Sequence, residues 1–161
     1  MQVWKFGGTS VGKPERMQSI RQLITEDGKP KIVVLSALSG STNALLSISE
    51  SLIAQNQAEA KTKASELRAH YDAFLTELYQ TPAGLAKGQA IVTKEFTFIE
   101  SLIATVPYTV KQEKEMVALG ELLSTQIFEA YLQEEGVNSA LLPALDFMVI
   151  DEDNEPIMAE I

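Results

Sequence analysis

An α/β fold with a mainly parallel sheet is predicted by three features of the first 35 or so residues. Val3-Trp4 leads into Lys5-Phe6-Gly7-Gly8-Thr9-Ser10-Val11, a strand that breaks into a glycine turn. An amphipathic stretch opening at Pro14 follows. Lys31-Ile32-Val33-Val34-Leu35 is then a continuous apolar run, the pattern of an interior strand in a parallel sheet. Strand, helix and strand in this order make one βαβ unit, whose crossover is expected to be right-handed.

Each element has its own warrant. Gln2–Phe6 reads as a buried strand. Pro14–Thr25 reads as a helix because Met17, Ile20, Leu23 and Ile24 recur at helical spacing. Asp27-Gly28-Lys29-Pro30 stops it. After the second strand, Ser36-Ala37-Leu38-Ser39-Gly40-Ser41-Thr42-Asn43 is a small, hydroxyl-rich loop opening onto another helix. Residues 44–135 are mostly helical. Leu45, Leu46, Ile48, Leu52 and Ile53 form one stripe, and Ala64, Leu67, Tyr71, Phe74, Leu75 and Leu78 form a second. Thr81-Pro82 with Gly84 reads as a turn. Ile91, Phe96, Phe98, Ile99, Leu102 and Ile103 belong to a third helix, which Pro107 ends. Residues 57–108 therefore read as a helical insertion packed beside the sheet, with no chemistry assigned to it.

Residues 110–135 read as one long helix with Leu119, Leu122, Leu123, Ile127 and Tyr131 on its apolar face. Gly120 lies in its interior, where glycine costs about 1 kcal/mol relative to alanine; close packing or access would account for it. Glu121, Ser124 and Thr125 share one face. They make either a polar patch aimed into a site or a solvated edge, and spacing alone favours the edge. Residues 137–142 read as a third strand closed by Pro143, and 147–150 as a short fourth. Residues 151–155 form an acidic turn that lacks the central glycine and distal glutamate of a calcium loop.

Composition narrows the function classes. A chain of 161 residues holds one domain with a real core and is short for two. Its net charge of −9 argues against a general nucleic-acid or anionic-membrane surface. There is no cysteine, so thiol catalysis and thiolate metal sites are excluded. The single histidine, His70, sits in a helical pattern as a surface or boundary residue, which leaves no His-based triad or metal set. No leader with an apolar h-region is visible and no apolar run is long enough for a bilayer span, so a cytoplasmic protein is expected. An anionic substrate needs a local positive pocket. Lys5 beside backbone N–H groups of the Gly7-Gly8 turn can supply one, although the same glycines also suit a purely structural turn. The Lys5 turn and the Ser36 loop leave the carboxyl ends of two strands expected to be neighbours, where ligands bind in open α/β sheets. Ser41 or Thr42 could instead cap the following helix.

Three segments in order, KFGGTSV at 5–11, VVLSALSGSTN at 33–43 and GELLST at 120–125, resemble the N-terminal half of the catalytic domain of aspartate kinases, in the amino-acid kinase superfamily. The resemblance spans 1–161 and includes the helical insertion. It looks most like the monofunctional, lysine-sensitive type. It implies a three-layer α/β sandwich, incomplete here, and transfer of the γ-phosphoryl group of ATP to the side-chain carboxylate of L-aspartate. Lys5 would neutralise the transferring phosphate. The backbone at Gly7 and Gly8, with Ser10, would cradle it. Ser36 and Thr42 would line the aspartate pocket, and Glu121 would accept hydrogen bonds from the substrate ammonium. A carboxylate nucleophile needs no strong base, so alignment and charge neutralisation carry such a reaction. The co-substrate would be ATP with Mg2+, bound mostly by a second half that 1–161 does not include, together with its regulatory domains. The segment by itself is expected to be inactive and to form a homo-oligomer. Kinases for glutamate, acetylglutamate or carbamate are rivals within the superfamily, and a non-catalytic assembly module of the same fold is the alternative outside catalysis.

Overall fold

Residues 2–149, 151 and 155–157 are described by the computed structural model of this chain. Strands β1 (Gln2–Phe6) and β2 (Lys31–Leu35) pair in parallel, Gln2 opposite Lys31 through Phe6 opposite Leu35. The connection between them carries a one-turn helix, α1 (Gly8–Val11), and α2 (Pro14–Thr25). Pro14 occupies the first turn of α2, where its missing N–H is no loss and its fixed φ suits a helix. Four helices follow: α3 (Ser41–Ile53), α4 (Gln57–Leu78), α5 (Pro82–Ala104) and α6 (Val110–Glu134).

Local chemistry sets the helix starts. The Asn56 side chain accepts the Glu59 N–H at 3.2 Å and opens α4. Thr81 accepts the Gly84 N–H at 3.0 Å, with Pro82 in the first turn. The Thr81–Gly84 stretch, expected as a turn, is thus the capped start of α5. The expected α4 stripe is buried throughout, and Tyr71 packs edge-to-face on Phe96 of α5 with ring centroids 6.0 Å apart. Phe96, Ile99, Leu102 and Ile103 of α5 and Leu119, Leu123, Ile127 and Tyr131 of α6 are buried in the same connected core. Leu23, Leu46, Ile53 and Phe98 fall outside it and are exposed. Helices α4 and α5 lie mainly on α2, α3 and α6. His70 is exposed, as expected.

Three expectations are corrected. The strands are only partly buried: Leu35 lies in the core, but Val3 is 63% and Val34 44% exposed. Among the described residues the sheet has only two strands, so each keeps a free edge and the apolar run has no further neighbours to cover it. Residues 137–142 form no strand. The Val137 N–H closes the end of α6 on the Leu132 carbonyl at 2.9 Å, and the residues that follow have no ladder partner among the described residues. Apolar spacing alone cannot make a strand when no backbone edge is adjacent. Residues 147–149 are likewise no strand, and residue 150 of that expectation lies outside the described residues. Of the expected acidic turn only Asp151 and Glu155 are described, the Asp151 N–H donating to the Glu155 carbonyl and the Glu155 N–H to Asp151 Oδ1, each at 2.9 Å; residues 152–154 of that expectation lie outside the described residues.

Candidate functional site

Parallel pairing puts Phe6 beside Leu35, so the loops that follow them leave the sheet together. The Ser36 N–H donates to the Phe6 carbonyl at 3.0 Å and extends that pairing by one residue. The two loops then touch with almost no side chain between them. A Cβ placed on Gly8 would lie 3.0 Å from the Ala37 carbonyl oxygen, and one on Gly12 would lie 2.5 Å from Ser39 Cβ. Glycine here answers to close backbone approach. Within the first loop, Ser10 and Val11 N–H groups donate to the Gly7 carbonyl, which winds α1.

A third element closes the cleft. Helix α6 passes so near the second loop that a Cβ on Gly120 would sit 2.8 Å from Ala37 Cβ. The interior glycine of α6 is therefore a packing requirement. That approach delivers the next residue, Glu121, to the loop: the Ala37 N–H donates to Glu121 Oε1 at 3.4 Å. The carboxylate is otherwise open to the cleft. Ser124 and Thr125, which share its face, turn back and donate to the Glu121 carbonyl at 3.0 and 2.8 Å. They brace the helix and leave the carboxylate as the polar group facing the loops.

The resulting open cleft is lined by Gly8 and Thr9 from the first loop, Ser36 to Gly40 with Thr42 and Asn43 from the second, and Glu121 from α6. Of the residues singled out in the sequence, Gly8, Ser36, Thr42 and Glu121 meet here. Lys5, Gly7 and Ser10 stand beside the cleft and do not line it. The exposed Lys5 side chain folds over the turn, with Nζ 3.6 Å from where a Cβ on Gly7 would lie. A wider depression runs along α2, lined by Arg21, Gln22, Leu23 and Glu26 among others. It is one helix surface rather than a meeting of elements, so the strand-end cleft is the candidate site. Thr9, Ser39 and Asn43 are additional lining residues. All three fall inside the two loops the sequence marked, but nothing in their spacing separates lining positions from neighbours.

The entry to α3 differs from the expected hydroxyl cap. Its N-cap is Gly40 at φ +87°, a left-handed conformation that favours glycine. Ser41 is fully buried instead, and accepts a hydrogen bond at 2.9 Å from the hydroxyl of Tyr71. Burial pushes the Tyr71 phenol up to about 12; the Ser41 hydrogen bond opposes this shift and the charge of Glu121 adds to it. The phenol is therefore a neutral donor across the physiological range.

A family model for the amino acid kinase family matches residues 1–160. Aspartokinase 3, chloroplastic, of Arabidopsis thaliana is 31% identical over 159 residues, covering 94% of this chain and 27% of its own length. The lysine-sensitive aspartokinase 3 of Escherichia coli K12 is 31% identical over 139 residues, covering 85% of this chain and 29% of its own length. The crystal structure of E. coli aspartokinase III in complex with aspartate and ADP superposes with a TM-score of 0.78 at 27% identity, over 99% of this chain and 35% of that one. The chain thus spans between about a quarter and somewhat over a third of the length of these three relatives. With the parallel βα arrangement and this match over nearly its whole length, the chain belongs to the amino acid kinase family.

Proposed function

We propose that this chain is the acceptor-binding part of an aspartate kinase, an enzyme that transfers the γ-phosphoryl group of ATP to the side-chain carboxylate of L-aspartate. The product is 4-phospho-L-aspartate, which feeds lysine, threonine and methionine biosynthesis. The observation that carries this reading is the convergence of Glu121 with two strand-end loops from distant parts of the sequence. Glu121 accepts the substrate ammonium. Ser36 and Thr42 offer hydroxyls to the rest of the amino acid. Gly8 lines the same cleft, Lys5, Gly7 and Ser10 border it, and together they serve the phosphate that must arrive there. Similarity to aspartokinases from a plant and a bacterium supports aspartate over glutamate, acetylglutamate or carbamate as acceptor.

The chemistry asked of these residues is modest. Two anions must be aligned and their repulsion offset, which positioning and fixed charge accomplish without a strong base. The cleft holds one carboxylate, and no group of three His, Cys, Asp or Glu side chains converges among the described residues. Magnesium fits as a companion of the nucleotide, and most nucleotide contacts belong to further chain. No helix among the described residues is long and apolar enough to cross a membrane. A cytoplasmic homo-oligomer remains part of the proposal, and the free sheet edges suit pairing with additional strands.

Calorimetric titration with L-aspartate, and separately with Mg-ATP, tests the reading. Weak L-aspartate binding is expected, lowered at least about tenfold in Glu121→Ala, the effect of losing one charge-assisted hydrogen bond. The 161-residue chain is expected to show no kinase turnover. L-Aspartate binding indifferent to Glu121 would move the acceptor site elsewhere, and turnover would show that no second half is needed.

A further inference from the structure

Helices α4 and α5 contribute no residue to the cleft lining, yet one polar group of α4 reaches its border. Tyr71 is fully buried, and its hydroxyl donates to the equally buried Ser41 at 2.9 Å. Ser41 is the first residue of α3, directly after the left-handed Gly40 and directly before Thr42 and Asn43, which line the cleft. The ring of Tyr71 is in turn fixed by edge-to-face packing on Phe96 of α5 at 6.0 Å. A phenylalanine ring would fill the same volume. What the hydroxyl adds is direction, because a desolvated O–H and a desolvated acceptor are costly unless they stay in register.

We propose that Tyr71 is a positioning residue for the acceptor cleft: its hydrogen bond to Ser41 locks the first turn of α3 and so holds Thr42 and Asn43 in place. The inference rests on the acceptor-site reading above and extends it to the helical segment 57–108. The loop is held from three sides. Glu121 of α6 takes the N–H of Ala37 at its start, the α1 turn packs on Ser39 at its middle, and Tyr71 of α4 fixes its exit. Of these anchors, the one from α4 is the one that leaves the lining untouched when altered. Any displacement of α4 or α5 is thereby felt at Thr42 without a direct contact to substrate.

The test is amide hydrogen exchange, read by NMR on the whole chain, for Tyr71→Phe, Ser41→Ala and the double variant. The Ser41 and Ala44 amides, which donate to the Leu38 and Gly40 carbonyls, are expected to exchange about tenfold faster in either single variant. The double variant should be no faster than the singles, because both remove one shared bond. Amides in the middle of α6 should keep their wild-type rates. Unchanged exchange at Ser41 and Ala44, additive effects, or equal acceleration along the chain would each overturn the inference. L-Aspartate titration of the same samples separates the two proposals. Faster local exchange with no L-aspartate binding even in the wild type would remove the acceptor-site reading and leave the Tyr71 lock standing. Binding that depends on Glu121 but is unaltered by Tyr71→Phe would remove the positioning role and leave the acceptor site.

Discussion

Glu121 shows how a residue's meaning depends on its neighbours. On α6 it belongs to a polar edge beside an apolar stripe, and alone it reads as solvated. Its position one residue after Gly120, where the helix comes within contact of Ala37, turns that edge into the wall of a cleft. Lys5 is the complementary case. It is exposed, near the turn, and outside the cleft lining, and the proposed function assigns it the arriving phosphate. When this segment is joined to the nucleotide-binding half that the proposal requires, Lys5→Ala is expected to lower kcat roughly a thousandfold, the scale of losing a key charge stabiliser. Steady-state kinetics with saturating ATP and L-aspartate checks this, and an unaffected rate would favour a non-catalytic assembly module.

At the scale of elements, the site depends on three close approaches, all at glycine. Gly8 and Gly12 let the first loop lie on the second, and Gly120 lets α6 reach it. Gly120→Ala sets two effects against each other. Alanine improves helix propensity by about 1 kcal/mol, whereas its methyl at 2.8 Å from Ala37 Cβ forces a shift that typically costs about 1–3 kcal/mol. A net loss of about 1 kcal/mol is expected in urea unfolding, together with chemical-shift changes at Ala37 and Glu121. A stabilised variant would show that the loop yields easily, and would weaken the account of how Glu121 is placed.

For the molecule as a whole, buried tyrosines tie the helical core to pH. The Tyr71 phenol, near 10 in an unfolded chain, is held at about 12 in the fold. Tyr79, whose hydroxyl donates to the Ile127 carbonyl at 2.8 Å, is also pushed up, again by burial first. A raised acid favours its neutral form in the folded state, so this stability is fully present below pH 10 and is lost as pH rises through the folded values. For Tyr71 the loss is on the order of 2–3 kcal/mol. Urea midpoints between pH 9 and about 12 should fall, and Tyr71→Phe should show a smaller fall than the wild type; equal falls would contradict the assignment. What the sequence by itself determined is everything that depends on neighbours in the chain. The βαβ start, the mainly helical run that follows it, the α4 stripe and the two strand-end loops follow from glycine, proline and apolar spacing, which act over a few residues. Tertiary structure alone decided the rest: that residues 137–142 find no sheet edge, that Gly120 serves packing, that Ser41 is a buried acceptor rather than a cap, and that Glu121 meets Ala37 across 84 positions of sequence. Those outcomes depend on which surfaces come within a few ångströms of each other, and local periodicity does not encode that distance.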